Sequence, residues 1–311
     1  MQDLYGNTNP EDMRENDIKL IRKSANYIGW TLLLFYLIFT LLTNRMPLQA
    51  RQLLFYVLWV IITLASARYF MHISVRDLLC NTKGEPSTVL DNLILTGLVA
   101  SAMTIAGAIT VAATCGFISN ASVEAATTPD SPLSIFLGVL AGPVVEEVIF
   151  RGVIWTRFKS YGIPFAITVS TILFIPMHGQ GMPVVILFLG IAAGVLMTLT
   201  NNVLYPILLH IIHNSGVLLY DDYTKPLFVN WKYTLVVNIL LLLFFIVLCG
   251  RRVQLIDKIE RLASSVKYLP TSLKADKYLY YAFFNTSGVI IFLLYFGINY
   301  LLSFLELFMG I

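Results

Sequence analysis

Charge is what this 311-residue chain has least of. Asp, Glu, Lys and Arg together make up 13% of it, against roughly a quarter in soluble proteins. A soluble fold of this length could bury a large core, but too few charges remain here to cover its surface. Cysteine is almost as scarce. Cys80, Cys115 and Cys249 stand far apart with no CxxC spacing, which excludes a disulfide framework and a thiolate zinc site. They are expected to be buried apolar fillers. There is no HExxH, so the usual zinc-protease helix is missing. Internal repeats and low-complexity segments are also missing. The first 25 residues are polar and of mixed charge, so no cleavable signal peptide is expected and the first apolar run reads as an uncleaved signal anchor. A net charge of +3 is too small to suggest nucleic acid as a partner. What is present in excess is apolar: 57% of residues are hydrophobic and mean hydropathy is +0.76. The chain belongs in a bilayer.

A spanning helix needs roughly 20 largely apolar residues. Nine candidate runs occur, at 27–43, 52–71, 92–113, 132–155, 163–178, 184–200, 203–219, 233–249 and 286–308. The fold class expected is therefore all-α, a polytopic membrane helix bundle of about eight to nine transmembrane helices. Asn44, Gly84 with Pro86, Pro129 with Pro132, Gly162 with Pro164, and Gly181 with Pro183 separate most runs. With the N-terminus in the cytoplasm, connections on the inner side carry fifteen of the 21 Lys and Arg residues and those on the outer side four. That is the positive-inside bias, and a multi-pass cell-membrane protein is expected. The expected organisation is an N-tail with two helices over 1–89, a catalytic membrane core over 90–249, and a C-terminal part over 250–311. Within the last, Leu255, Ile256, Ile259, Leu262, Val266 and Leu269 recur near helical spacing among Arg251, Arg252, Lys258, Arg261 and Lys267. Such a pattern suits a basic amphipathic helix on the anionic leaflet, or a solvated connector. Gly190 and Gly194 form a GxxxG pair that close helix packing explains.

Few ionisable groups fall inside the apolar runs, and those that do are clustered. Glu146 and Glu147 interrupt the fourth run, while His178, His210 and His213 lie in the fifth and seventh, with Asn214 directly following. An ionisable group inside a span costs several kcal/mol by insertion scales and so faces a protein interior or a water cavity. Three segments placing such groups suggest one shared polar pocket. Glu147 and Arg151 are i and i+4, on one helical face, as are His210 and Asn214. Glu146 is rotated by roughly 100° and stays free for a second task. Pro176 beside His178, and Gly142-Pro143 before the carboxylates, are expected to loosen the local backbone. Counted from the inner end of each run, Glu146 and His210 agree in depth, whereas His178 falls nearer the outer end.

Peptide hydrolysis needs an activated water, stabilisation of an oxyanion and a proton for the leaving amine. Glu146 suits the base, with Glu147 held by Arg151, and a histidine and an asparagine on one face can donate to the oxyanion. Alternatively, His178, His210 and a Glu146 carboxylate bind zinc as three ligands with an open position. Glu-Glu-x-x-x-Arg, Phe-x-x-x-His (Phe174, His178) and His-x-x-x-Asn, in this order on separate helices, resemble the CAAX protease and bacteriocin-processing (CPBP, or Abi) family of intramembrane endopeptidases. The resemblance covers roughly 90–220. It implies a cavity open to cytoplasm and lipid in which Glu146 activates water, Glu147 and Arg151 assist, and His178, His210 and Asn214 complete the site. It implies a membrane-associated peptide or protein as substrate, with bacteriocin immunity or peptide processing among the roles. No cofactor is expected on the metal-free route, which is preferred to zinc. His213 lies outside the pattern and reads as a packing or supporting histidine. The rival classes are a proton-coupled transporter, against which the missing inverted repeats count, and a non-catalytic immunity or scaffold protein.

Overall fold

The computed structural model describes residues 10–43, 45–70, 72–74, 89–113, 132–178, 183–222, 231–267 and 269–309. Helices account for nearly all of them, and no strand occurs among the described residues. They are α1 (Pro10–Thr43), α2 (Leu48–Ala65), α3 (Val89–Ala113), α4 (Pro132–Tyr161), α5 (Ile163–His178), α6 (Pro183–Thr200), α7 (Leu204–Asp222), α8 (Trp231–Gly250), α9 (Val253–Lys267), α10 (Leu269–Phe284) and α11 (Ser287–Met309). The all-α class is as expected. Four helices are individually long and apolar enough to cross a membrane, or six if two bent pairs each count as one span. Helices α5 and α6 are apolar but shorter. Of the three cysteines, Cys249 is buried as expected; Cys80 and Cys115 lie outside the described residues.

The chain divides into two compact units. One comprises Met1–Arg45 and Tyr268–Leu302. In it the Asn26 side-chain oxygen accepts from the Gly288 N–H (2.8 Å) and the Ser287 hydroxyl (3.0 Å), closing the start of α11. Nearly three turns along α1, Tyr36 packs edge-on against Phe296 at 5.0 Å between ring centroids.

The other unit holds α2 to α9, with α4 as its buried axis. From Ile149 to Trp155 every residue of α4 is buried. The helix packs on α2, α5 and α7. It changes pitch on the way, with wide π-helical turns at Leu137–Ala141 and Val148–Trp155 on either side of an α-helical stretch, Gly142–Glu147. A proline inside a helix clashes with the carbonyl one turn earlier. The wide turn before Pro143 gives that carbonyl room, so the expected loosening occurs without a break. At the other end α4 runs past residue 155, where the apolar run ends, to Tyr161. Gly162 (φ 124°) then reverses the chain, a conformation that suits a residue without Cβ, and Pro164 starts α5 at a position where its missing N–H costs nothing.

Helix α6 lies against α5 at backbone distance. A Cβ on Gly190 would sit 2.6 Å from a methyl of Thr171, and one on Gly194 would sit 3.0 Å from Ile167. The GxxxG pair is therefore a packing surface. Helix α8 ends at Gly250 and α9 leaves it at 110°. Arg252 at the bend bonds to the buried Asp91 in the first turn of α3, and α9 buries Leu255 while exposing Val253 and Ile256.

The close approach at Gly190 yields a stability test. Gly190→Leu overfills the α5–α6 contact and is expected to destabilise the protein by about 2–3 kcal/mol, read as a lower unfolding midpoint in detergent. Gly107→Leu, where a Cβ meets nothing within 4 Å, is expected to leave the midpoint unchanged.

Candidate active site

Five of the six residues nominated from sequence meet in one place between α4, α5 and α7. Its foundation is dry. Glu147 and Arg151 have no exposed side-chain surface and lie 3.0 Å apart. The second arm of the guanidinium donates to the Gly190 carbonyl at 2.8 Å, and its carbon sits 4.5 Å over the Phe174 ring. A desolvated guanidinium is tolerated when opposite charge, a carbonyl and an aromatic face surround it in this way. The Gly190 carbonyl is a partner that no sequence signal could have shown, because any residue has one. Phe174 was legible only as an apolar residue at motif spacing. In the fold it is wholly buried and packs on Arg151 and both histidines, its ring centroid 4.1 Å from that of His178 and 5.7 Å from that of His210.

Both histidines are oriented from behind. His210 Nδ1 lies 2.9 Å from Glu147 Oε1. The carboxylate, already paired with Arg151, can only accept, so Nδ1 carries the hydrogen. His178 Nδ1 lies 3.2 Å from the Phe174 carbonyl, which also can only accept. With both Nδ1–H groups committed, each neutral imidazole presents an Nε2 lone pair to the opposite side. There stands Glu146 Oε2, 3.2 Å from His178 Nε2 and 3.8 Å from His210 Nε2. These three atoms are buried and make no hydrogen bond with one another or with any described residue. Three acceptors aimed at one point require protons, a water or a cation between them. All three lie within 4.8 Å of each other. Glu146 and His178 keep 20% and 16% of their side chains exposed, so the cluster is open on one side.

The sixth nominee stands slightly apart. Asn214 donates its amide to the Gly138 carbonyl at 3.0 Å, in the wide turn of α4 that precedes the carboxylates. That bond ties α7 to α4 and spends one of the two amide hydrogens. His213 is half-buried.

The mismatch in depth for His178 resolves through the length of α4. Depth has to be counted from the reversal at Gly162, not from the end of the apolar run at 155. Glu146 lies sixteen residues before Gly162 and His178 sixteen after it. At roughly 1.5 Å per residue two antiparallel helices joined there bring the two groups to one height.

Fold and cluster together define an all-helical, multi-spanning membrane protein with an acid–imidazole site on a dry ion pair. Residues 128–216, a little under a third of the chain, match a family model described as type II CAAX prenyl endopeptidase Rce1-like. This match is consistent with the CPBP family and supports a CAAX-type intramembrane endopeptidase. It contains every nominated residue. No curated protein and no solved structure gives a significant match.

Burial of the ion pair sets its own test. Arg151→Met strands the Glu147 charge and is expected to cost about 3–5 kcal/mol, measured as denaturant-induced unfolding in detergent. The double variant Glu147→Leu with Arg151→Met, which removes both charges, is expected to recover a large part of that loss.

Proposed function

We propose that the chain is an intramembrane endopeptidase that hydrolyses a peptide bond in a membrane-associated peptide or protein through a water activated by Glu146. The observation that carries this reading is the convergence of Glu146 Oε2, His178 Nε2 and His210 Nε2, three unsatisfied acceptors within 4.8 Å of one another. A water at their common point donates to the carboxylate and to one imidazole. Glu146 takes a proton from it as the oxygen attacks the scissile carbonyl carbon, and returns that proton to the amine as the C–N bond breaks. Glu147, itself paired with Arg151, holds the Nδ1 hydrogen of His210 in place, so the imidazole does not rotate during the cycle. An imidazole that takes up a further proton from solvent on Nε2, keeping its Nδ1–H, becomes a donor to the developing oxyanion. Asn214 has one amide hydrogen left for the same purpose.

A metal-dependent version of the same hydrolysis rests on one specific observation. The donor set of two imidazoles and a carboxylate, each imidazole held from behind by an oxygen, has the composition and supporting shell of a three-ligand zinc site. A tetrahedral zinc site would need ligand separations of about 3.4 Å, close to the 3.2 and 3.8 Å from Glu146 to the two histidines. Glu146, His178 and His210 would hold the ion, and it would supply a Lewis acid and a more acidic water.

The substrate class follows the matched description: a prenylated protein ending in a CAAX sequence, with a hydrophobic leader or bacteriocin-type peptide as the other candidate. The lysine and arginine distribution supports a cell-membrane protein with its N-terminus in the cytoplasm.

The test is cleavage by protein reconstituted in vesicles, using a farnesylated CAAX peptide and a hydrophobic leader peptide. Glu146→Gln is expected to abolish hydrolysis while the unfolding midpoint stays at the wild-type value. Retained cleavage removes Glu146 from the reaction, and a wild-type protein inert on both peptides favours the scaffold or transporter classes. Metal content per mole of active protein, together with chelator sensitivity, separates the two versions of the chemistry.

A further inference from the structure

Glu146 has a neighbour from a helix that the family match does not reach. Gly142 is one turn before Glu146 in the α-helical stretch of α4, so their side-chain positions lie on the same face, about 5–6 Å apart. The Tyr56 hydroxyl, carried in by α2, occupies the space beside Gly142: a Cβ there would lie 2.8 Å from Tyr56 Oη and 3.3 Å from the ring carbon that bears it. Only a glycine at 142 lets the phenol come this close. Tyr56 and Glu146 interact electrostatically, yet no hydrogen bond joins the phenol to the carboxylate or to any other described residue. One turn back on the same face of α2, Gln52 holds a buried side-chain oxygen that also lacks a partner. The face of α2 that carries Tyr56 therefore holds polar groups at two successive turns, and neither is satisfied among the described residues.

An amide hydrolase needs a donor aimed at the oxygen on which charge develops. The groups nominated for that task from sequence are largely occupied. His210 and His178 have committed their Nδ1–H groups and present lone pairs, and Asn214 has spent one hydrogen on Gly138. A phenol with an uncommitted hydrogen beside the carboxylate meets the need without a change of protonation state. We propose that Tyr56 is a further catalytic residue, its hydroxyl donating to the scissile carbonyl oxygen and, more strongly, to the tetrahedral oxyanion formed when the Glu146-activated water adds. This rests on the endopeptidase reading above. It adds α2 to the site and gives Gly142 a role that its backbone does not explain.

The experiment uses the full chain in vesicles, a farnesylated CAAX peptide as substrate and the corresponding phosphinate peptide as a tetrahedral mimic. Tyr56→Phe, which removes one oxygen and keeps the ring, is expected to lower kcat about 100-fold, leave KM within twofold, and weaken phosphinate binding by a similar factor. Gly142→Ala pushes Tyr56 Oη off its position and is expected to give a comparable loss, and the double variant is expected to be no worse than either single one. Unfolding midpoints are compared throughout, and if Tyr56→Phe does not fold, Gly142→Ala carries the test. A Tyr56→Phe enzyme with kcat within threefold of wild type, or with a loss in KM and none in phosphinate binding, overturns the proposal while the endopeptidase reading stands. A wild-type protein that neither cleaves the peptide nor binds the phosphinate overturns that reading and this one with it.

Discussion

One desolvated cation organises this site. Arg151 is fully buried, and its guanidinium meets a carboxylate from its own helix, a carbonyl from α6 and an aromatic face from α5, with Nε left without a hydrogen-bond partner among the described residues. Glu147, the carboxylate so used, reaches on to His210 in α7. Four helices are thereby held in one arrangement by a group that has no stable alternative, because any partner that moves away leaves charge uncompensated in a low-dielectric interior. The same constraint explains why α6 must come to backbone distance at Gly190. There a main-chain oxygen reaches the guanidinium at 2.8 Å, and a side chain on that residue would strike Thr171.

The ion pair also divides the work between two adjacent carboxylates. Helical geometry turns Glu146 away from Glu147 by roughly 100°. Glu147 goes into the dry base and becomes a fixed acceptor that decides which nitrogen of His210 bears hydrogen. Glu146 goes to the open side, where it meets two lone pairs and no hydrogen-bond donor. The wide π-helical turns on either side of the carboxylates fit this division, since such turns are frequent at functional sites and re-aim side chains without ending the helix.

Much of this was visible in the chain's residues. The all-helical class follows from apolar runs and scarce charge, and the pairing of Glu147 with Arg151 from i, i+4 spacing. The gathering of acid and imidazole groups follows from the cost of leaving them in lipid. Other parts were hidden for identifiable reasons. Hydropathy ended the fourth span at 155, because Thr156, Arg157 and Lys159 are polar, yet the helix continues to Tyr161, as hydrogen-bonded backbone does regardless of side-chain polarity. That misplaced boundary set His178 apparently too far out. The runs at 163–178 and 184–200 are short in the sequence, and α5 and α6 are correspondingly short apolar helices. Asn214 was expected to face the reacting atoms, but its amide is partly used in holding α7 to α4.

Sequence by itself determined which groups had to find one another: in hydrocarbon, a carboxylate, an arginine and two histidines have no tolerable neighbours except each other, and helical periodicity assigns each to a face. Tertiary structure alone decided the chemistry available to them. Nitrogen lone pairs became free on one side because carbonyl and carboxylate oxygens claimed the hydrogens on the other. A main-chain oxygen from α6 joined the cation's shell, and a phenol from α2 came to lie beside Gly142, one turn from Glu146. Those outcomes depend on which atoms approach across helices distant in the chain, and backbone groups and inter-helix spacing leave no mark in residue order.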